Sequence, residues 1–182
     1  MRALSLIIML SCGCAAWRTP SSEKSGPLMI NLRAGPAIGL KDTGGAGRPA
    51  FSTAAAGVEL GVAVTPDRRG YLIMPLQVQP GAWYAAVMFP LGFEYDFKLS
   101  AKGPFLTARL SGGYALVEKY YIPKQMNFGF VLPELGIKHV WRKRWNLGFD
   151  FFSLPIGFGR DDNNVSIVAI FYRLALYAGV NF

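Results

Sequence analysis

The residues best able to do chemistry in this chain are few and far apart. His139 is the only histidine among 182 residues. A general base needs an oriented nucleophile within hydrogen-bond reach, and the next two residues, Val140 and Trp141, supply none. Asp161-Asp162-Asn163-Asn164 offers oxygen ligands of the kind that hold a divalent cation. Four consecutive polar residues more often make a solvated turn, so no metal site is expected. Gly44-Gly45-Ala46-Gly47 has no strand leading directly into a helix and lacks the context of a phosphate-binding loop. Cys12 and Cys14 are two positions apart, a spacing unsuited to a structural disulfide, and the histidine that a zinc site would recruit is distant. No catalytic constellation is complete, and no cofactor is expected.

The remaining chemistry-bearing residues are charges set singly into apolar, alternating stretches. Reading back from Phe182 in steps of two gives Val180, Ala178, Leu176, Leu174, Tyr172, Ile170 and Val168, with Arg173 on the opposite face. This is a long strand with one wholly apolar side. The composition agrees: hydrophobic residues make up 52% and charged residues 16%, against about 25% charged in ordinary soluble domains. No run approaches the roughly 20 apolar residues of a membrane helix. Eight strands are expected, at 28–40, 53–66, 70–79, 84–98, 104–118, 127–141, 144–158 and 165–182. The connections at 66–70, 100–103 and 141–145 read as tight and basic. Those at 41–52, 80–83, 118–126 and 160–164 read as longer or more variable.

The small face of these strands indicates which side is inside. In 84–98 the odd positions are Val87, Phe89, Leu91, Phe93, Tyr95 and Phe97; the even positions are Ala86, Met88, Pro90, Gly92, Glu94, Asp96 and Lys98. A water-facing surface has no reason to be so small, whereas the interior of a narrow eight-stranded barrel does. The large apolar residues then face lipid. The inferred inner face carries Arg33, Lys98, Arg109, Lys138 and Arg173 against Glu59, Glu94, Asp96, Glu134 and Asp150. Buried charges must be paired or solvated, and equal numbers permit pairing. The expectation is a salt-bridged plug in the lumen rather than a pore. His139 falls on the lipid side, near the basic turn flanked by Trp141 and Trp145. Prolines 36, 75, 90, 133 and 155 interrupt these strands and call for bulges or strand ends, and Phe151-Phe152-Ser153 requires a bulge to keep its faces in order.

The amino terminus reads as a leader. Met1-Arg2 precedes the apolar stretch Ala3 to Leu10, too short to span a bilayer. Met9-Leu10-Ser11-Cys12 resembles a bacterial lipoprotein signal, with Cys14 a second candidate for lipidation, although neither cysteine has a Leu three residues before it. Ordinary cleavage after Ala16 is the competing reading. Residues 1–16 are assigned to the signal, 17–27 to a polar tether and 28–182 to the barrel domain.

The leader, the eight amphipathic strands and terminal Phe182 together resemble the small outer-membrane β-barrels of Gram-negative bacteria, the OmpA/OmpX-like group. The resemblance is architectural and covers about residues 27 to 182. It implies an all-β, eight-stranded antiparallel up-and-down transmembrane barrel with both termini periplasmic. It implies Phe182 as the signal read by the barrel-assembly machinery, and outer-membrane lipids and lipopolysaccharide as surroundings. Lipid A deacylases of the same membrane use a His-x-Ser arrangement, which His139-Val140-Trp141 lacks. The basic residues, for a net charge of +8, form no helical stripe or aromatic–basic platform for nucleic acid. The expected role is structural or surface-interacting, as a monomer. The alternatives are an outer-membrane lipid-modifying enzyme and a lipocalin-like binder of an apolar ligand, which would place the large apolar residues inside.

Overall fold

The computed structural model describes residues 26–42, 54–80, 84–100, 104–119, 122–142, 144–160 and 166–182. Cys12, Cys14, the glycine-rich segment 44–47 and the polar run 161–164 lie outside the described residues. Ten strands form one sheet: β1 (Leu28–Gly35), β2 (Ala37–Asp42), β3 (Ala55–Ala63), β4 (Gly70–Pro80), β5 (Tyr84–Lys98), β6 (Phe105–Lys119), β7 (Ile122–Trp141), β8 (Trp145–Ser153), β9 (Ile156–Arg160) and β10 (Ser166–Asn181). The order runs β1-β3-β4-β5-β6-β7-β8-β10, and β10 pairs back on β1. The ring is therefore closed, antiparallel and up-and-down. Its eight staves are β3 to β7 and β10 singly, with β1/β2 and β8/β9 as two broken staves: β2 continues the pairing with β10, and β9 pairs with β10 and β7.

The breaks fall at proline, where the sequence read continuous strands. Pro36 separates β1 from β2 and Pro155 separates β8 from β9. Each lacks a ladder donor but keeps its carbonyl engaged: Leu174 N–H donates to Pro36 (3.1 Å) and Phe171 N–H to Pro155 (3.0 Å). Pro75 and Pro90 remain inside strands and lie opposite each other across the β4/β5 seam. The ladder skips from Ile73↔Gly92 to Gln77↔Met88 with its register intact. Two missing donors thus fall in one gap. A bulge occurs where Phe151-Phe152 demanded one: Leu135 pairs with Phe152 and Gly136 with Asp150. Both phenylalanines stay outside while Ser153 turns in.

Connection length does not separate the two ends as the sequence reading expected. β7 begins at Ile122 and pairs with Lys119 of β6, so the segment read as a loop over 118–126 is largely strand. One end, here the terminal rim, holds Leu28, Phe182 and the β3–β4, β5–β6 and β7–β8 connections. The opposite end, the loop rim, holds the 43–54 connection and three shorter ones. At the terminal rim Phe182 N–H donates to Leu28 O (2.8 Å) and Leu28 N–H to Phe182 O (3.3 Å), which aligns the last residue with the first strand.

The outer wall is apolar. Leu32, Leu60, Leu76, Phe89, Leu91, Phe93, Phe97, Leu110, Leu147 and Leu176 are all exposed, Leu91 by 57% and Leu176 by 63%. Nine charged side chains and the amides of Asn31, Gln77, Gln79, Asn146 and Asn181 are buried inside. This orientation corrects the lipocalin-like alternative, which needs Phe93 and Phe97 inside. A water-soluble domain does not expose a continuous apolar wall of this extent, whereas a bilayer requires one. Leu91→Arg, at the centre of β5, is expected to lower the unfolding free energy in phospholipid vesicles by about 2–4 kcal/mol, read from urea titration. An unchanged midpoint would contradict a lipid-facing wall.

Candidate functional site: a buried charge network in the lumen

Alternation places nine of the ten sequence-derived lumen charges inside. Arg33, Glu59, Glu94, Asp96, Arg109, Glu134, Lys138, Asp150 and Arg173 are each no more than 5% exposed. The tenth, Lys98, is exposed. It ends β5, past the last inward layer, where parity no longer implies enclosure and a lysine extends to solvent. Four cations therefore face five carboxylates.

Arg33 on β1 is the most connected group. Its Nη1 donates to Glu59 Oε2 (3.1 Å) and Glu134 Oε2 (3.0 Å); its Nη2 donates to Glu134 Oε1 (2.8 Å) and to Asp150. The bidentate contact to Glu134 uses the fixed fork of the guanidinium. Arg109 on β6 donates from Nε to Glu94 and from Nη1 to Asp150. Lys138 on β7 is shared by Glu94 and Asp96. Arg173 on β10 donates to Gln77 Oε1 and lies 3.5 Å from Glu134. Thus Arg173 meets an acidic residue, but Gln77 of β4 is its nearer partner.

Neutral donors support the carboxylates. Asn31 Nδ2 donates to Glu59 (2.7 Å), Thr107 Oγ1 to Asp96 (2.9 Å) and Ser153 Oγ to Glu134 (2.8 Å). Two buried tyrosines receive cations on their faces: the Arg109 guanidinium lies 4.5 Å from the Tyr177 ring centre and the Lys138 ammonium 5.1 Å from that of Tyr71, within cation–π range. Tyr177 has room because residue 148 of the neighbouring strand is glycine. A Cβ there would run into its ring, and one at Gly136 would run into Asp150. The small inner face is what admits these large polar groups.

The sequence reading put Met88 on the inner face but did not name Phe128, Phe130 or Leu132 as filling. Toward the loop rim Met88, Ala115, Phe128, Phe130, Leu132 and Ile167 form an apolar cluster inside the lumen. Toward the terminal rim Met29, Tyr71 and Ile73 form another. In 128–132 neither face carries a polar side chain, so alternation carries no contrast. The parity of Glu134 and Lys138, counted back along β7, is the signal that places Phe128, Phe130 and Leu132 inside. The charges are sandwiched between two apolar layers. A cavity of about 20 Å³ beside Arg33, Gln77 and Arg173 has room for roughly one water.

His139 sits on the outward face, half-buried, two residues from Trp141. Among the described residues the lumen holds no histidine or cysteine, and Ser153, the serine beside Glu134, bonds a carboxylate already held by Arg33. Among the described residues no group of three or more His, Cys, Asp or Glu has the arrangement of a metal site.

No family model matches the chain, and no curated protein matches it. Solved structures do. The Neisserial surface protein NspA superposes with a TM-score of 0.63 at 14% identity, covering 88% of this chain and all of that one. The amino-terminal β-barrel domain of Pseudomonas aeruginosa OprF gives 0.52 at 15% identity, covering 87% and all of it. The fold is that of the small outer-membrane β-barrels. At these identities the likeness is one of architecture, and the inner network stands on this chain's own residues.

Breaking the network from one side leaves a buried charge without its partner, which costs about 3–5 kcal/mol. Glu134→Ala is expected to destabilise by that order in detergent or vesicles, because Arg33 loses a bidentate partner and Arg173 its only carboxylate within 4 Å among the described residues. Lys98→Ala, outside the network, is expected within about 0.5 kcal/mol of wild type. Equal losses for the two would refute the assignment of Glu134 to the network.

Proposed function

We propose that this protein is a monomeric outer-membrane barrel whose role is structural or surface-interacting, with a lumen closed by its own side chains. The reading rests chiefly on one observation: the closed ring presents an apolar wall outside and a salt-bridged, apolar-capped filling inside. The filling among the described residues supports a plug rather than an aqueous path, as expected for an eight-stranded barrel. Among the described residues the charged lumen side chains spend their hydrogen bonds on one another, which favours a structural role over catalysis. Interaction then belongs to the rims and the outer wall.

In this reading the termini are periplasmic and the loop rim faces lipopolysaccharide outside. Phe182, exposed beside β1 at the terminal rim, is the residue that the barrel-assembly machinery would engage before closure. Lipidation at Cys12 or Cys14 would add an anchor at the periplasmic end through the tether 17–27.

Two measurements test the proposal. The membrane fraction should yield the protein to detergent and not to carbonate, and the unheated protein should migrate differently on a gel from the boiled one. Release by carbonate would remove the membrane reading. In planar lipid bilayers the folded protein should show no steady openings. Regular unitary conductance in wild type would replace the plug with a pore.

A further inference from the structure

The net charge of +8 is concentrated at one end of the molecule. The buried cluster contributes none of the excess, since its four cations face five carboxylates. At the loop rim the connections and adjoining strand ends carry five basic and four acidic residues, nearly cancelling. The three connections at the terminal rim, with Lys98 beside them, carry seven basic residues against Asp67 alone. Six of the eight excess charges therefore belong to the terminal rim.

The arrangement is specific in three respects. Arg68, Lys98, Arg142 and Arg144 are exposed, whereas Asp67 is turned toward its own hairpin: Thr65 Oγ1 donates to it (2.6 Å) and Arg69 lies 3.7 Å away. Arg68 and Arg142 occupy left-handed backbone positions with φ of 54° and 49°, where glycine is the favoured residue. Among the described residues both non-glycine positions of this kind hold charge. Finally, the basic hairpins lie just beyond exposed aromatic residues on the outer wall. Trp145 and Phe97 are about half exposed, and the Arg142 guanidinium lies 5.1 Å from the Trp141 ring. Interfacial aromatics mark the headgroup level.

We propose that the terminal rim docks on the phosphates of anionic glycerophospholipids in the leaflet that surrounds it. The charges are carried by three hairpins, at the β3/β4, β5/β6 and β7/β8 seams, so they are distributed around the ring. A lipid annulus meets all of them at once; a protein docked on one side would not. Arg68, Arg142 and Arg144 lie within two residues of a strand end, and Lys98 ends β5, which keeps these charges near the headgroups. Each basic side chain held against an anionic leaflet strengthens attachment by about fivefold at low salt. The same contacts fix the depth of the barrel in the bilayer.

This proposal rests on the membrane-barrel reading, and the test separates the two. The full chain is refolded into phosphatidylcholine vesicles and into vesicles also containing phosphatidylglycerol, and folding rate and urea midpoint are followed by tryptophan fluorescence and heat-modifiable migration. Folding in both lipids is expected, several-fold faster and with a higher midpoint in the anionic vesicles. That advantage should vanish at about 1 M salt, where screening acts within roughly 3 Å. Lys98→Gln/Arg142→Gln/Arg144→Gln should lose most of the advantage while matching wild type in phosphatidylcholine; Arg142→Lys/Arg144→Lys should keep it. Equal behaviour in the two lipids, a salt-independent advantage, or a triple variant that retains it would overturn the proposal. Failure to fold in either lipid would instead overturn the barrel reading beneath it.

Discussion

A closed ring of strands in hydrocarbon leaves charge only one place within the membrane, and Arg33 shows how that constraint organises the interior. From the first strand it reaches Glu59 on β3, Glu134 on β7 and Asp150 on β8, partners 26, 101 and 117 residues away. The contact to Glu59 follows the wall to the adjacent strand, whereas those to Glu134 and Asp150 cross to strands not paired with β1. Around Arg33 the ladder itself sets charges opposite one another: Glu94 pairs in register with Arg109, and Arg109 with Glu134, across β5, β6 and β7. A slip of one residue at any of these seams would turn a charge outward. Against lipid, such a charge is expensive. The network therefore selects the register of the barrel even where its net contribution to stability is small.

The inward charges need space, and the wall supplies it through small residues. Gly148 admits Tyr177, and Gly136 admits Asp150. Tyr177 in turn lies under Arg109, so a glycine on β8 and an arginine on β6 are linked through a ring on β10. Above and below, Phe130 and Leu132 on one side and Met29 and Ile73 on the other close the charged layer from water. Low local dielectric strengthens each ion pair and also raises the cost of any unpaired charge. The layer is therefore intolerant of partial disruption.

Much of this was legible in the sequence because the bilayer enforces strict alternation. Strand number, the outward face of 84–98 and nine inward charges all follow from parity. What escaped did so where parity carries no information. Lys98 has inward parity but lies at a strand end, where no wall encloses it. Phe128 and Phe130 lie in a segment apolar on both faces. The breaks at Pro36 and Pro155, against the continuity through Pro75, Pro90 and Pro133, depend on which seam loses a donor, and that is a property of register between strands. Connection length also misled: β6 and β7 extend as a hairpin to Lys119 and Ile122, so the ends of the barrel differ in charge more clearly than in loop size.

That difference in charge bears on what the molecule is built to do. A lumen filled with its own paired side chains has no use for a charge difference between the rims. An asymmetric surface matters only if the two rims meet different surroundings. The loop rim combines near-neutral charge with the longest connection, residues 43–54, and the terminal rim combines strong positive charge with short hairpins and the pairing of Leu28 with Phe182. Longer connections can vary without disturbing the ladder. Arginine held at left-handed turn positions costs conformational energy, a cost that the proposed contact with anionic headgroups would offset. If the terminal rim is anchored as proposed, the longer and near-neutral loop rim is the end left for the proposed surface interaction.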